Sequence, residues 1–168
     1  MRRLKLTGID EGYSVVVSTK LVAADVPELV LDSVLKIFPD FKCGLPDRPS
    51  FPTEQNDIIA SEEISLATFL EAIYKQSILD TALDYMSANL DVNGTVFQIS
   101  RQAALAGKVA FPLPDDNPLG GVITVEIEGD NLGDWLEAAT WHSGRENIPR
   151  RIGDEFTMNS DGDAVTWH

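Results

Sequence analysis

The chain has a single cysteine in 168 residues. Cys43 alone excludes an internal disulfide and a thiolate zinc cluster. Histidine is nearly as scarce, at positions 142 and 168 only. Neither His142 nor His168 has a second ligand at metal-binding spacing, so no metal and no cofactor is expected. Neither stands in a triad pattern with a serine or cysteine, so no catalytic residue is assigned. The Gly-x-x-x-x-Gly-Lys-Ser/Thr spacing of a phosphate-cradling loop is also missing. Asn159 to Asp163 resembles part of a calcium loop but lacks its twelve-residue ligand pattern and closing glutamate. No apolar run approaches the ~18 residues of a membrane span. Met1 to Lys5 is basic, yet Asp10 and Glu11 arrive before an apolar segment forms, which is not the order of a signal peptide. Together these gaps favour a cytoplasmic, membrane-free chain and leave an enzymatic role without a supporting motif.

Positive charge is scarce too. The 13 basic residues face 27 acidic ones, for a net charge of −14. Nucleic-acid binding ordinarily needs a basic face that displaces counterions. Binding here therefore requires a local exception, and the sequence has one candidate. No acidic residue lies between Asp91 and Asp115, whereas Arg101 and Lys108 do. A sheet-core segment that excludes carboxylates explains the same gap and is the favoured reading. The overall acidity also fits solubility or a salty cytosol.

What the chain does contain is alternating strands and helices. Tyr13 to Val22 is rich in β-branched residues and reads as a strand. A helix follows, with Asp25 as its cap, Pro27 in its first turn and Glu28 in a capping-box-like position. Its expected apolar stripe is Val26, Leu29, Val30, Val34, Leu35 and Ile37/Phe38, and Pro39 stops it. The proline-rich stretch from Lys42 to Asn56 reads as loop, and Asn56 to Ile64 as a strand. From Ser65 a helical pattern runs through Leu66, Phe69, Leu70 and Ile73. It shifts phase near Gln76 and Ser77, as one bent helix or two abutting ones. Asn93-Gly94 marks a turn. A strand from Thr95, a helical turn over Gln102 to Ala106 and extended chain from Lys108 to Phe111 come next. Pro112 to Pro118 is a turn. Val122 to Glu128 alternates as in a sheet with one solvated side. Asp130 or Asn131 caps a last helix through Trp135 and Leu136. This order predicts an α+β fold, a largely antiparallel sheet with helices packed on one face. Residues 1–142 form one domain, with 143–168 a C-terminal extension or tail.

Four blocks carry a family likeness. They are Gln76-Ser77-Ile78-Leu79-Asp80-Thr81-Ala82, then Val96 to Val109 with its core Arg101-Gln102-Ala103-Ala104-Leu105-Ala106-Gly107-Lys108. Leu119-Gly120-Gly121-Val122 through Ile127 and Asp134-Trp135-Leu136 follow. In this order the chain resembles, over about residues 13–142, an archaeal family of small proteins grouped with RNA-binding and exosome-associated proteins. The resemblance implies the RL5-like fold of the 5S-rRNA-binding ribosomal protein. Relatives usually have lysine where Arg101 stands and arginine where Leu83 stands.

The candidate RNA- or phosphate-binding residues are Arg101, Gln102, Gly107 and Lys108. Gly107 would let backbone approach a phosphate while the cations supply charge. Against this, Ala103, Ala104, Ala106 and Gly107 suit tight packing of a turn on a helix, and that role is favoured. Arg145, Arg150 and Arg151 form a secondary basic patch, with Glu146, Asp154 and Glu155 offsetting it. Asp80 is expected to bond backbone and fix the bend. Phe97, Phe111, Trp135 and Trp141 are read as core rather than a base-stacking platform. The first functional reading is a non-enzymatic binding protein for RNA, or for RNA-processing or ribosomal proteins, with weak and salt-sensitive affinity. The alternative is an acidic protein–protein adaptor or a homodimer built on an exposed sheet edge or helix. A small-molecule enzyme using Asp80, Thr81, Arg101 and Lys108 ranks last.

Overall fold

The computed structural model describes residues 6–22, 25–42, 57–113, 118 and 120–153. The expected loop from Lys42 to Asn56 beyond its first residue, most of the Pro112–Pro118 turn, Cys43, His168 and Asn159–Asp163 lie outside the described residues.

The elements follow the predicted order except that Lys108 to Phe111, expected as extended chain, forms no strand. They are β1 (Ser14–Leu21), α1 (Pro27–Ile37), β2 (Asp57–Ser61), α2 (Ala67–Lys75), α3 (Leu79–Ser87), β3 (Gly94–Ser100), α4 (Arg101–Leu105), β4 (Val122–Glu128) and α5 (Leu132–Ala139). A 3-10 turn, Ser143–Glu146, closes the series. The fold is α+β. Four strands form one sheet in the order β2-β1-β4-β3, and every neighbouring pair is antiparallel.

Alternation decides which sheet face is covered. Val15, Val17, Thr19 and Leu21 on β1, with Ile123, Val125 and Ile127 on β4 and Thr95, Phe97 and Ile99 on β3, are buried. Register places Val17 opposite Val125, and Val125 opposite Phe97, so these residues form continuous rows under the helices. Burying such side chains yields about 1.5–3 kcal/mol each, which is why the register is strongly specified. On the opposite face, Glu126, Glu128, Lys20 and Gln98 meet solvent. In the core, Phe38 stacks on Phe69 at 5.9 Å between ring centres, and Phe69 meets Phe97 at 5.7 Å.

The phase shift at Gln76 and Ser77 separates two helices. Ser77 adopts φ +58, while Ser77 N–H donates to Tyr74 O and Ile78 N–H to Ile73 O. This is the left-handed helix stop usually built on glycine. Gly107 does the same for α4. Its φ is +74, Gly107 N–H donates to Ala104 O and Lys108 N–H to Ala103 O. Nothing lies within 4 Å of where a Cβ would be, so Gly107 is needed for its backbone angle and not for close packing.

Several local expectations need correction. Neither Asp25 nor Glu28 caps α1, whose preceding residue is Val26 with no side-chain cap. Asn131 starts α5 in the left-handed conformation, again without a side-chain cap. The α1 stripe is rotated: Pro27, Val30, Ser33, Val34 and Ile37 are buried, while Val26 and Leu29 are exposed. Finally, the packed domain continues past residue 142. Arg145 is buried, and Ile152 packs against the core.

Candidate functional site

The four residues expected to share a phosphate site divide between two places. Arg101 opens α4 directly from β3 and is only 6% exposed. Its guanidinium donates to the backbone oxygens of Gly120 and Lys20 (2.8 Å), to Thr19 Oγ1 (3.2 Å) and to Asp25 Oδ2 (3.2 Å). All three guanidinium nitrogens are engaged in stitching α4 to β1, the Gly120 turn and the entry to α1. Arg101 is therefore committed inside the fold and cannot serve an external phosphate. Gln102 is exposed beside it, lining a hollow of about 300 Å³ with Val26, Leu29 and Leu105.

Gly107 and Lys108 face elsewhere. They line a groove of about 550 Å³ between α1, α2 and the turn after α4, together with Lys36, Lys75, Thr7 and Gln76. Each lysine lies at or just past a helix C-terminus, where cations offset the helix dipole. Lys36 Nζ donates to Leu105 O at 2.6 Å. Lys75 lies 4.0 Å from Glu71 and is largely exposed, a spacing that binds it only weakly. Gln76 fixes the floor of the groove. Its amide donates to Val109 O and accepts from Val109 N–H, both at 2.8 Å. The sequence reading missed Lys36 and Lys75. Their position in the last turn of predicted helices was the available signal, and only the fold brings them to Lys108.

A second cluster was also missed. Asp80, in the first turn of α3, accepts on Oδ1 from Arg145 Nε (2.9 Å) and contacts His142 Nε2 (3.0 Å). The Arg145 guanidinium also donates to Glu137 O (3.0 Å) and Thr140 Oγ1 (3.1 Å). Burial pushes the Asp80 carboxyl upward, but the bonds and charges of His142 and Arg145 outweigh it and hold it below the ordinary Asp range. Asp80, Thr81, Ser77, Lys75 and His142 line a cleft of about 460 Å³. One turn along α3, Asp84 pairs with Arg150. The proposed basic patch is therefore corrected. Arg145 and Arg150 bind the two α3 carboxylates and fasten the C-terminal segment; Arg151 is exposed.

Asp80 and Thr81, Arg101, and Lys108 line three different cavities, so the four side chains do not converge in one pocket for joint catalysis. Among the described residues no group of three His, Cys, Asp or Glu side chains is placed to hold a metal. No described helix is long and apolar enough to cross a membrane. Phe97 and Trp135 are buried, and Phe111 stacks on Tyr85 at 4.9 Å, so these rings pack internally.

The fold defines a small α+β protein with three lysines and Glu71 lining one groove. This chain belongs to the UPF0201 family, with homologues in archaea. It is 32% identical over 117 residues to the UPF0201 protein of Methanothermobacter thermautotrophicus, covering 68% of this chain and 83% of that protein. It is 35% identical over 80 residues to the UPF0201 protein of Sulfurisphaera tokodaii, covering 46% of this chain and 55% of that one. The fold is shared with the crystal structure of a UPF0201 protein from Methanococcus jannaschii, at a TM-score of 0.55 and 24% identity, covering 67% of this chain and 91% of that one. It is shared also with that of an uncharacterized UPF0201 protein, at 0.60 and 22%, covering 74% and 90%. No family model matches the chain.

Proposed function

We propose that this is a cytoplasmic, non-enzymatic protein that holds the phosphate backbone of RNA in the groove formed by Lys36, Lys75 and Lys108. One observation carries the reading: three exposed lysines line one groove in a chain of net charge −14. RNA is chosen among anions because the sequence blocks around Arg101 and Asp80 resemble an archaeal family grouped with RNA-binding proteins. Three neutralised phosphates on a single strand give a slope of log affinity against log salt of about −2. A fourfold rise in salt then weakens binding roughly 20-fold. Fluorescence anisotropy with mixed RNA fragments at low and moderate salt tests this. The Lys75→Ala/Lys108→Ala double variant should lose most affinity and flatten the slope, while Lys20→Ala should not. Affinity unchanged in the double variant would remove the groove.

A second reading, a protein partner or second copy, has its own observation. Val26, Leu29 and Leu105 are exposed side chains around the hollow that Gln102 lines. Light scattering over a concentration series should then detect a dimer that Leu29→Glu dissolves. A strict monomer at high concentration would exclude self-association.

A further inference from the structure

The lysine groove and the Asp80 cleft meet at one residue. Lys75 lines both, and the segment from Lys75 to Thr81 runs from one to the other. A ligand following that segment passes from a cationic stretch to a carboxylate. Asp80 is placed unusually for a surface acid. Oδ1 is held by Arg145 and His142, while Oδ2 has no hydrogen bond among the described residues, and the side chain is 45% exposed. An unsupported carboxylate beside a phosphate chain would repel it. Here the Arg145 cation, itself only 5% exposed at its side chain, offsets that charge and fixes the carboxylate in one orientation. What remains is a rigid hydrogen-bond acceptor next to a phosphate-binding surface. An acceptor with no proton of its own selects a donor. In RNA the group that alternates with phosphate and donates is the ribose 2′-hydroxyl.

We infer that Asp80 Oδ2 accepts a hydrogen bond from a ribose 2′-hydroxyl of a strand whose phosphate lies on Lys75, so that the site discriminates RNA from DNA. The inference rests on the lysine-groove reading and adds sugar recognition to it. Asp80 touches the ligand. Arg145 and His142 act through Asp80 and are positioning residues.

The test compares a short fluorescent oligoribonucleotide with its 2′-fluoro and 2′-deoxy counterparts on the full chain at low salt. The 2′-fluoro sugar lacks the donor, and the wild-type comparison needs no variant that might unfold. A hydrogen bond to a charged acceptor corresponds to roughly tenfold in affinity. RNA should therefore bind about tenfold more tightly than either analogue. In Asp80→Asn, shown folded by circular dichroism, the preference should shrink to within about twofold. Equal binding of all three oligomers by the wild type overturns the inference and leaves the lysine groove standing. A preference that persists in Asp80→Asn overturns the assignment to Asp80. No binding of any oligomer, even at low salt, sinks both readings together.

Discussion

Replacing Arg101 with alanine should damage the fold and spare the ligand. The magnitude follows from its partners. The side chain is 6% exposed and donates to Lys20 O, Gly120 O, Thr19 Oγ1 and Asp25 Oδ2. Breaking a buried ion pair costs about 3–5 kcal/mol, mostly through the charge left behind. Asp25 retains Val22 N–H at 2.9 Å and some contact with solvent, which places the loss near the lower end. Two carbonyls left short of a donor add roughly 1 kcal/mol. The sum is about 3–4 kcal/mol, a large part of the ~5–15 kcal/mol that holds a domain together. At about 2–4 °C per kcal/mol for a chain of this size, the melting midpoint falls by roughly 10 °C. Arg101→Lys should still lose about 2 kcal/mol, since one ammonium cannot span the same acceptors. Gly121 offers an independent probe. Its φ is +81, and an added Cβ would lie 2.5 Å from Arg101 Nη2. Gly121→Ala should cost about 2–3 kcal/mol, and less in the Arg101→Ala background, where the clash is gone. Urea titrations followed by circular dichroism measure all four variants. An Arg101→Ala loss below ~1 kcal/mol would refute the reasoning. So would loss of RNA affinity at undiminished stability, which would return Arg101 to the ligand site.

Two further outcomes concern stability. Glu11 accepts from Trp135 Nε1 (3.0 Å), Thr7 N–H (2.8 Å), Thr7 Oγ1 (2.9 Å) and Gly8 N–H (2.8 Å). Burial raises its pKa, yet these bonds prevail and hold it below the ordinary Glu value of 4.5. Because the folded pKa is the lower one, its contribution is present above that value and lost as pH falls through the folded pKa. The urea midpoint should decline on acidification, less so in Glu11→Gln; equal pH profiles for the two proteins would contradict this. Thr95 donates to Met86 O at 2.6 Å in the core. Thr95→Val should cost about 1 kcal/mol by denaturation, and a neutral result would mean that the carbonyl finds another donor.

The strands were legible because alternation is a local signal. Val122 to Glu128 alternates in the sequence and has one buried face in the fold, while Tyr13 to Val22 was legible through its β-branched residues. The break between α2 and α3 showed as a phase shift, but its cause did not, since Ser77 is not the residue expected in a left-handed stop. Local rules failed where a distant partner intervened. Asp25 reads as a helix cap, yet it is held by Arg101, 76 positions on. Residues 143–153 read as tail because they lack apolar periodicity. They are fastened instead by Arg145 and Arg150 to carboxylates of α3, contacts between residues 65 and 66 positions apart. The site was half visible for the same reason. Lys108 stood out in an acid-free window, whereas Lys36 and Lys75 join it only through the packing of α1 and α2.

The pairing of Arg101, Arg145 and Arg150 with Asp25, Asp80 and Asp84 has a consequence for how this chain can change. These three arginines act as internal ties between remote segments, while Lys36, Lys75 and Lys108 stand exposed. Surface composition can then drift toward more acid, or toward a different salt environment, without loosening the ties. An arginine lost from one of these three positions would have to be matched by loss of its aspartate, so the two should be exchanged together or not at all.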